Sequence, residues 1–311
     1  MRKAKKYKIF DAHCDTLSAF SENKQSLTVS NGMVKFDYFK TYSAYLQIFA
    51  CFVDDNEHFP LEKVLSQSKI FRNESEKGCF VTVQNKQDIQ NIFSQNKIGG
   101  MLSLENGRAL GGKIENLYLL YNQGFRMIGL TWNGDNSLAS GIYGSGGGLT
   151  EFGTNVVEHA DKLGMAIDLS HISERGFWDV LDVCKKPVVV SHSNARTVCN
   201  HPRNLTNEQI VSLIKRKGFI GINFYPPFVS DGECSIKDVI KHVEHVCSLG
   251  GENAVGIGSD FDGIKSAVKG IDNANKIYLL LDEMKKLGYS DKLIRQFSHK
   301  NLVDVFARIL N

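Results

Sequence analysis

Histidines and carboxylates recur in this sequence at the carboxyl ends of short apolar runs, where a β-strand would end. Five motifs share this position: DAHCD (11–15), ENG (105–107), DLSH (168–171), SHS (191–193) and GSDFDG (258–263). Imidazole nitrogens and carboxylate oxygens are ligands that Zn²⁺ takes in proteins, and catalytic zinc sites keep a position open for water. These residue types therefore indicate a divalent-metal site, with Zn²⁺ as the expected ion.

The spacing of these residues suggests two ions rather than one. His13 and Asp15 are two residues apart, so at a strand end both side chains can point to one side and chelate one metal. His171 and His192 follow neighbouring strands and could hold a second ion, and Glu105 is the carboxylate best placed to bridge the two. Two ions about 3.5–4 Å apart that share a water would generate hydroxide near neutral pH and polarise a carbonyl for hydrolysis. A single histidine after a strand is usually a hydrogen-bonded core residue, but three together favour the metal.

Other residues of these motifs keep two interpretations. Asp260 directly follows a strand and is the candidate for chemistry, whereas Asp262 suits a turn. Asp168 could orient a metal-bound histidine or simply accept a hydrogen bond near a helix. Cys14 is expected to point away from the two ligands that flank it, which disfavours it as a ligand or nucleophile.

The chain has no G-x-S-x-G motif, and the serines beside His192 lack the glycine context of a nucleophile elbow, so serine-hydrolase chemistry is not expected.

Strands that end at these motifs alternate with amphipathic segments along the whole chain. Eight apolar runs are predicted as strands: 8–13, 45–53, 98–104, 126–132, 165–170, 188–192, 219–224 and 254–259. The segments between them carry helix signals, such as the capping box that begins at Thr206. Runs that are apolar on both faces are typical of parallel strands covered by helices. We therefore predict an α/β fold, a single (β/α)8 TIM barrel forming one catalytic domain over residues 1–311, with an open doubly wound sheet as the alternative.

The composition excludes several classes of protein and partner. The 311 residues are 42% hydrophobic and 23% charged, which is typical of a globular protein and not of a disordered or coiled-coil chain. A net charge of +3 is too small to favour a nucleic-acid partner. The seven cysteines include no C-x-x-C pair, which predicts reduced thiols and a cytoplasmic protein. The basic N-terminus lacks the apolar core of a signal peptide, and the longest apolar run, 48–53, is far too short to span a membrane.

Eight motifs in a fixed order resemble one known family. They are DAHCDT, LSLENG, LTWN, GMAIDLSH, PVVVSHSNAR, NHPRN, INFY and VGIGSDFDG, and they extend from about residue 9 to the C-terminus. This series resembles the membrane (renal) dipeptidase family of zinc peptidases, which are amidohydrolase-like barrels, and in particular its bacterial branch. A lone H-x-D would say little, whereas eight ordered motifs, most of them at strand ends, are specific.

The resemblance implies a ligand set that agrees with the argument from residue types. In the family, the positions that match His13, Asp15 and Glu105 bind one zinc. Glu105 bridges to a second zinc, which the positions matching His171 and His192 hold. The implied cofactor is thus two Zn²⁺ per chain.

The resemblance also implies how a substrate would be bound. The position matching Asp260 engages the substrate amine and passes a proton to the leaving group, and the position matching Arg203 binds the substrate carboxylate. From the residues alone, Arg203 could instead be a surface arginine at the start of a helix. Trp132 and Tyr225, in LTWN and INFY, are further expected substrate contacts. Animal enzymes carry at the position of Trp132 a histidine that helps to hold the tetrahedral intermediate. An indole N–H can donate a hydrogen bond but cannot titrate.

The expected function is a cytoplasmic metal-dependent dipeptidase that acts through a hydroxide activated by two zinc ions, and L-D dipeptides are among the expected substrates. Two alternatives stay open at this point. Trp132 could mark a hydrolase of another small amide or lactam, or the barrel could bind peptides without catalysis. Family members are frequently dimers, so the resemblance implies a homodimer as the expected assembly, with no nucleic-acid or membrane partner.

Overall fold

A closed ring of parallel strands forms the centre of this protein in a computed structural model that describes residues 6–311. The strands are β1 (Lys8–Cys14), β2 (Ala44–Phe52), β3 (Val81–Thr82), β4 (Ile98–Glu105), β5 (Phe125–Gly129), β6 (Ala166–Asp168), β7 (Val189–Val190), β8 (Phe219–Ile222) and β9 (Val255–Ile257). All strands except β3 pair in the order β1-β2-β4-β5-β6-β7-β8-β9, and β9 pairs back with β1. The (β/α)8 barrel is therefore confirmed, and the closed ring rules out the open sheet.

Helices cover the outside of the ring. They are α1 (Thr16–Asn23), α2 (Phe36–Phe39), α3 (Pro60–Glu76), α4 (Lys86–Ser94), α5 (Ile114–Asn122), α6 (Glu151–Leu163), α7 (Glu174–Val183), α8 (Asn207–Lys215), α9 (Pro226–Val229), α10 (Ile236–Ser248), α11 (Ile277–Lys286), α12 (Asp291–Arg295) and α13 (Asn301–Ile309). Short 3₁₀ turns lie at Gly107–Leu110 and Ala274–Lys276, and a π turn at Gln296–Lys300 joins α12 to α13. Within residues 6–311, no helix has both the length and the apolar character that a membrane span requires.

Two apolar clusters pack on opposite faces of the strands. Successive residues of β1 belong to different clusters, because successive side chains of a strand point to opposite faces. Ile9 belongs to the cluster between strands and helices, and Phe10 to the cluster that fills the barrel interior. The interior cluster includes Phe306 of α13, which stacks on Phe10 with ring centroids 5.7 Å apart. The barrel interior is thus a packed core beneath the carboxyl ends of the strands.

The predicted strands extend past the observed pairing at several carboxyl ends. The strand predicted at 126–132 ends in the structure at Gly129. Those predicted at 165–170 and 188–192 end at Asp168 and Val190. Hydrophobicity reports burial, and the residues after these points, apart from the half-buried Trp132, are buried without lying in the paired strands. The two-residue β3, which pairs only with β4, was not predicted because Val81 is half exposed and the run is very short.

The prediction of one domain over residues 1–311 includes residues 1–5, which lie outside the described residues, and it stays a prediction.

The predicted capping box is observed at the start of α8. The side chain of Thr206 accepts a hydrogen bond from the backbone N–H of Gln209, and the side chain of Gln209 accepts one from the backbone N–H of Thr206. Local sequence therefore determined where this helix begins.

Candidate metal centre

The five candidate ligands lie together at the carboxyl ends of the strands. Three sets of side chains each bring one possible ligand atom per residue within 4.8 Å of one another, and two of these sets contain Glu105: His13 with Asp15, and His171 with His192. Glu105 Oε2 lies 3.3 Å from His13 Nε2, and its other oxygen, Oε1, lies 3.0 Å from His171 Nε2. One carboxylate therefore faces both sets, each with a different oxygen, which is the arrangement of a bridging ligand.

A β-bulge helps to bring the first set together. Between Asp11 and Cys14, β1 contains one residue more than the facing stretch of β2. Bulges re-aim side chains and are common beside functional sites. Asp15 has left the strand, with φ −102° and ψ 20°, and its Oδ2 lies 3.3 Å from His13 Nε2. The predicted proximity of His13 and Asp15 is therefore observed, although simple strand alternation is not its cause. Cys14 belongs to the apolar cluster between strands and helices, and therefore points away from His13 and Asp15.

The unpaired polar atoms of the centre fit a cation. His13 Nε2 and Asp15 Oδ1 are buried and have no hydrogen-bond partner among residues 6–311, although carboxylate oxygens lie close to the imidazole nitrogen outside hydrogen-bonding geometry. An unpaired buried polar group costs about 1–3 kcal/mol. The Nε2 atoms of His171 and His192 face each other at 2.8 Å. Nitrogen and oxygen donors that converge in this way suit a divalent ion such as Zn²⁺.

Burial controls the charges of the centre. Burial and the nearby Glu105 carboxylate raise the pKa of Asp15 to about 7. Burial also raises the pKa of Asp260 to about 8. In the opposite direction, burial lowers the pKa of His171 and His192 well below the ordinary value, so both imidazoles are neutral. Divalent metals bind neutral imidazoles and ionised carboxylates, so a bound ion would displace the protons that Asp15 and Asp260 hold in the metal-free site.

Asp260 is held beside the centre by one of its two oxygens. Asn223 Nδ2 donates to Asp260 Oδ2 at 2.8 Å, and Oδ1 lies 3.9 Å from His13 Nε2. The side chain of Asp260 also forms a cluster of possible metal-binding atoms with His13 and His192. Asp262, in contrast, accepts hydrogen bonds from Thr16 Oγ1 and from the backbone of the loop before α2, as expected for a turn residue.

Arg203 lies inside the site and not on the surface. It is 5% exposed, so the alternative of a surface arginine is wrong. Its Nη1 donates to the carbonyl of Ser170 and, at 3.3 Å, to Ser193 Oγ, while Nη2 lies 3.5 Å from the carbonyl of His192. The guanidinium is thus fixed next to the ligand-bearing loops, and it also lines the cavity described below.

A cavity of about 890 Å³ opens at the centre. The candidate residues in its lining are Asp15, Glu105, Trp132, His171, Arg203, Tyr225 and Asp260. Trp132 packs edge-on against Phe52 with centroids 5.1 Å apart, and Tyr225 packs in the same way on Phe228. His13 and His192 lie beneath, each 1% exposed.

Several residues of the cavity were not identified from the sequence. Asn133 places its Oδ1 3.1 Å from His171 Nδ1, and its position directly after Trp132 in LTWN was the available signal. Tyr143 enters the lining from the glycine-rich segment 141–148, where its backbone N–H donates to the Asn133 carbonyl at 2.8 Å. Ser18 adds a buried hydroxyl that has no hydrogen-bond partner within the described residues. No local pattern points to Ser18, because only the packing of α1 beside the barrel mouth brings it there.

Comparisons with known proteins agree with this architecture. Residues 2–311 match the family model for membrane dipeptidase, peptidase family M19. An uncharacterised protein in the pqqA 5′ region of Klebsiella pneumoniae is 30% identical over 234 residues, which are 71% of this chain and 86% of that protein.

Two solved structures share the barrel fold at low sequence identity. A metallopeptidase from Rhodobacter sphaeroides, bound to a phosphinate mimic of the dipeptide L-Ala-D-Ala, is 24% identical, with a TM-score of 0.89 over 97% of this chain and 99% of that one. The probable dipeptidase PvdM from Pseudomonas aeruginosa is 17% identical, with a TM-score of 0.89 over 99% and 96%. Since the family model covers nearly the whole chain, the predicted resemblance is confirmed, and this chain belongs to the membrane dipeptidase family, peptidase family M19.

Proposed function

We propose that this protein hydrolyses dipeptides with two zinc ions, one held by His13, Asp15 and Glu105 and the other by Glu105, His171 and His192. The observation that carries the proposal is the position of Glu105, whose two oxygens face the two ligand sets separately. Two ions in such a centre would polarise a peptide carbonyl and supply a nucleophile from water.

Asp260 is the proposed proton carrier and amine ligand. A carboxyl group with a pKa of about 8 exchanges its proton near neutral pH, which suits transfer to a leaving amine. Asn223 fixes one oxygen and leaves the other directed toward the centre. The same carboxylate, once ionised, offers a charge for the ammonium group of a substrate.

Arg203 is the proposed contact for the substrate carboxylate. Its planar guanidinium can bind a carboxylate with two parallel hydrogen bonds. A dipeptide carries an ammonium and a carboxylate on either side of a single peptide bond, so Asp260 and Arg203 together would select for that length. A longer peptide would displace one of its charged ends from these partners.

L-D dipeptides are part of the proposed substrate range. The Rhodobacter sphaeroides metallopeptidase that shares this fold binds a mimic of L-Ala-D-Ala, which supports including them. Trp132 and Tyr225, which line the cavity, are proposed to contact the substrate side chains. We also propose a cytoplasmic location, supported by seven free cysteines, and keep the homodimer that the family resemblance implies.

The replacement His171→Ala tests this function. The variant removes one ligand from the set that contains Glu105 and His192, so it should lose dipeptide turnover and bind less zinc than the two ions expected per chain. His159→Ala is a matched control, because His159 lies on the outer helix α6 and pairs with Tyr118. Turnover of a dipeptide panel and zinc content are measured on the same samples. Unchanged turnover in His171→Ala would rule out the proposal.

Trp132 supports a second candidate, the hydrolysis of another small amide or a lactam. An indole in the cavity cannot titrate as a histidine would, which could favour substrates with different demands on the carbonyl oxygen. Activity confined to cyclic dipeptides or acylated amino acids without a free carboxylate would favour this function. A purified protein that binds no zinc after supplementation would instead favour peptide binding without catalysis.

A further inference from the structure

A buried chain of hydrogen bonds runs beneath the metal centre, from Asp168 through Ser191 to two imidazoles. Ser191 Oγ lies 2.5 Å from Asp168 Oδ2, 2.7 Å from His192 Nδ1 and 3.3 Å from His13 Nδ1. Ser191 is completely buried, and Asp168 is 7% exposed. The proposed reaction gives neither residue a role, yet together they reach one ligand from each of the two sets.

The carboxylate of Asp168 fixes the direction of the Ser191 hydroxyl. Its Oδ1 accepts from Ser170 N at 3.1 Å, from Ser170 Oγ at 2.6 Å and from Ser191 N at 2.9 Å. Its Oδ2 faces Ser191 Oγ. An ionised carboxylate only accepts hydrogen bonds, so the contact between its Oδ2 and Ser191 Oγ requires the serine to be the donor. Ser170 Oγ also lies 3.0 Å from Ser191 Oγ, but this contact is longer than the 2.5 Å contact with Asp168. The single hydroxyl hydrogen of Ser191 therefore points at Asp168.

A serine that donates to Asp168 can only accept from the two imidazoles. Both His13 and His192 must then carry a hydrogen on Nδ1. In the neutral imidazole this leaves Nε2 as a bare lone pair, directed at the metal centre. We propose that Ser191, oriented by Asp168, is a positioning residue that sets the metal-binding tautomer of both histidines.

The consequence is that one hydroxyl supports two ions. His13 belongs to the set with Asp15, and His192 to the set with His171. Asn133, in contrast, contacts only His171 among the ligand imidazoles, and so serves one set. The proposal rests on the two-zinc function above, and it predicts that losing the Ser191 hydroxyl weakens both binding steps together.

Two variants test the positioning role with the zinc-loaded enzyme. Ser191→Ala removes the hydroxyl that accepts from both imidazoles. Asp168→Asn keeps the size of the side chain but reverses the direction of its hydrogen bond with Ser191. In Asp168→Asn, three donors hold the amide oxygen at the Oδ1 position, so the NH₂ group faces Ser191 and the serine hydrogen must turn elsewhere, including toward an imidazole. Ser103→Ala is the control, because Ser103 is a buried strand serine whose hydroxyl, in the described part of the chain, bonds only to the carbonyl of Phe49.

Zinc affinity in competition with a chelator is the first measurement. Loss of a hydrogen-bond partner behind a metal-bound histidine typically lowers metal affinity about 10–100-fold. We expect a loss of that size in both binding steps for Ser191→Ala and for Asp168→Asn, and none for Ser103→Ala. Losses confined to one step, or unchanged affinity in both variants, would overturn the positioning role.

The cobalt-substituted enzyme gives a second readout that general destabilisation does not reproduce. Imidazole N–H protons near Co²⁺ give strongly shifted NMR signals. Those of His13 and His192 should exchange with solvent faster in Ser191→Ala than in the wild type and in Ser103→Ala; equal exchange rates would overturn the proposal. A wild type that retains two ions and hydrolyses dipeptides while both variants behave normally refutes the positioning role alone. A wild type that binds no ions refutes the proposed function and this inference with it.

Discussion

Two aspartates beside the centre have a backbone conformation that most residues avoid. Asp260 and Asp262 have φ values of 61° and 67°. Asn, Asp and Gly adopt this left-handed region at the lowest cost. The next residue, Gly263, packs closely against the candidate ligand Asp15: a Cβ on Gly263 would lie 2.1 Å from Asp15 Oδ2. Residue type in the segment 258–263 is therefore set by the backbone as well as by chemistry, and Asn is the substitution for Asp260 that keeps this conformation.

The role proposed for Arg203 predicts how a lysine would behave at this position. Lysine keeps the positive charge but cannot form two parallel hydrogen bonds with a carboxylate. A hydrogen bond to a charged group contributes about 1.5–3 kcal/mol, so Arg203→Lys should lower kcat/KM for dipeptides by about 10–150-fold.

Substrates amidated at the C-terminus provide the comparison for Arg203→Lys. They lack the carboxylate, so wild type and variant should hydrolyse them at similar, low rates. Steady-state kinetics with matched free and amidated dipeptides measures the difference. An equal loss on both kinds of substrate would contradict a role in carboxylate binding.

At the scale of elements, two glycines allow β7, β8 and β9 to pack closely beneath the histidines. A Cβ on Gly221 of β8 would lie 2.0 Å from the Ser191 carbonyl oxygen, and a Cβ on Gly258, directly after β9, would lie 1.9 Å from the same atom. The backbone of Ser191 therefore fits between two positions where any side chain would collide. This close approach helps to hold Ser191, and with it His192, in place.

Gly258→Ala should therefore destabilise the barrel and disturb the centre together. The added methyl group meets backbone that cannot move aside, and overpacking of this kind costs about 1–3 kcal/mol. We expect a loss of at least about 2 kcal/mol in the free energy of unfolding, measured by urea titration, together with weaker zinc binding.

Gly232→Ala is the matched control for Gly258→Ala. A Cβ at Gly232 meets no atom within 4 Å, and the residue is exposed, so its stability should stay within about 0.5 kcal/mol of the wild type. Similar unfolding curves for the two variants would contradict the close-approach argument.

For the whole molecule, the metal centre makes stability depend on pH. The folded state without metal holds protons on Asp15, with a pKa of about 7, and on Asp260, with a pKa of about 8. Unfolded aspartates have lost these protons well below pH 6. Stability falls with rising pH wherever the folded state binds more protons than the unfolded chain. His13 acts in the same direction, because Glu105 and Asp15 outweigh its burial and raise its pKa well above the ordinary value.

Between pH 6.5 and 8, the metal-free protein should therefore lose stability, on the order of 2 kcal/mol. In the lower part of this window and below it, His171 and His192 act in the opposite direction, because the unfolded chain protonates them first. Zinc bound as proposed would favour the ionised carboxylates, so its stabilising effect should be larger at pH 8 than at pH 6.5.

Thermal unfolding with and without zinc at the two pH values checks this dependence. Asp260→Asn removes one titrating group while tolerating the left-handed backbone, and should flatten the profile of the metal-free protein. A zinc effect that is equal at both pH values would contradict the electrostatic argument.

Much of the barrel could be predicted from the sequence because it depends on local patterns. Apolar runs on both faces indicated buried parallel strands, and Thr206 indicated the start of α8. His13, Glu105, His171 and His192 could be identified because each lies at the end of such a run or directly after it. Polar residues at the carboxyl ends of parallel strands must meet at one rim. The sequence by itself therefore determined the barrel and the identity of the candidate ligands.

Only the tertiary structure decided how these residues meet. The bulge in β1, the closeness of two glycines to the Ser191 carbonyl and the burial of Arg203 involve backbone that is distant in sequence. The same holds for the hydrogen-bond chain from Asp168, which joins residues on three strand ends. Periodicity reports which residues are buried, but the direction of a hydrogen bond depends on neighbours brought together by the closed ring. The physical reason is that a local pattern describes each strand alone, whereas a metal centre depends on contacts among several.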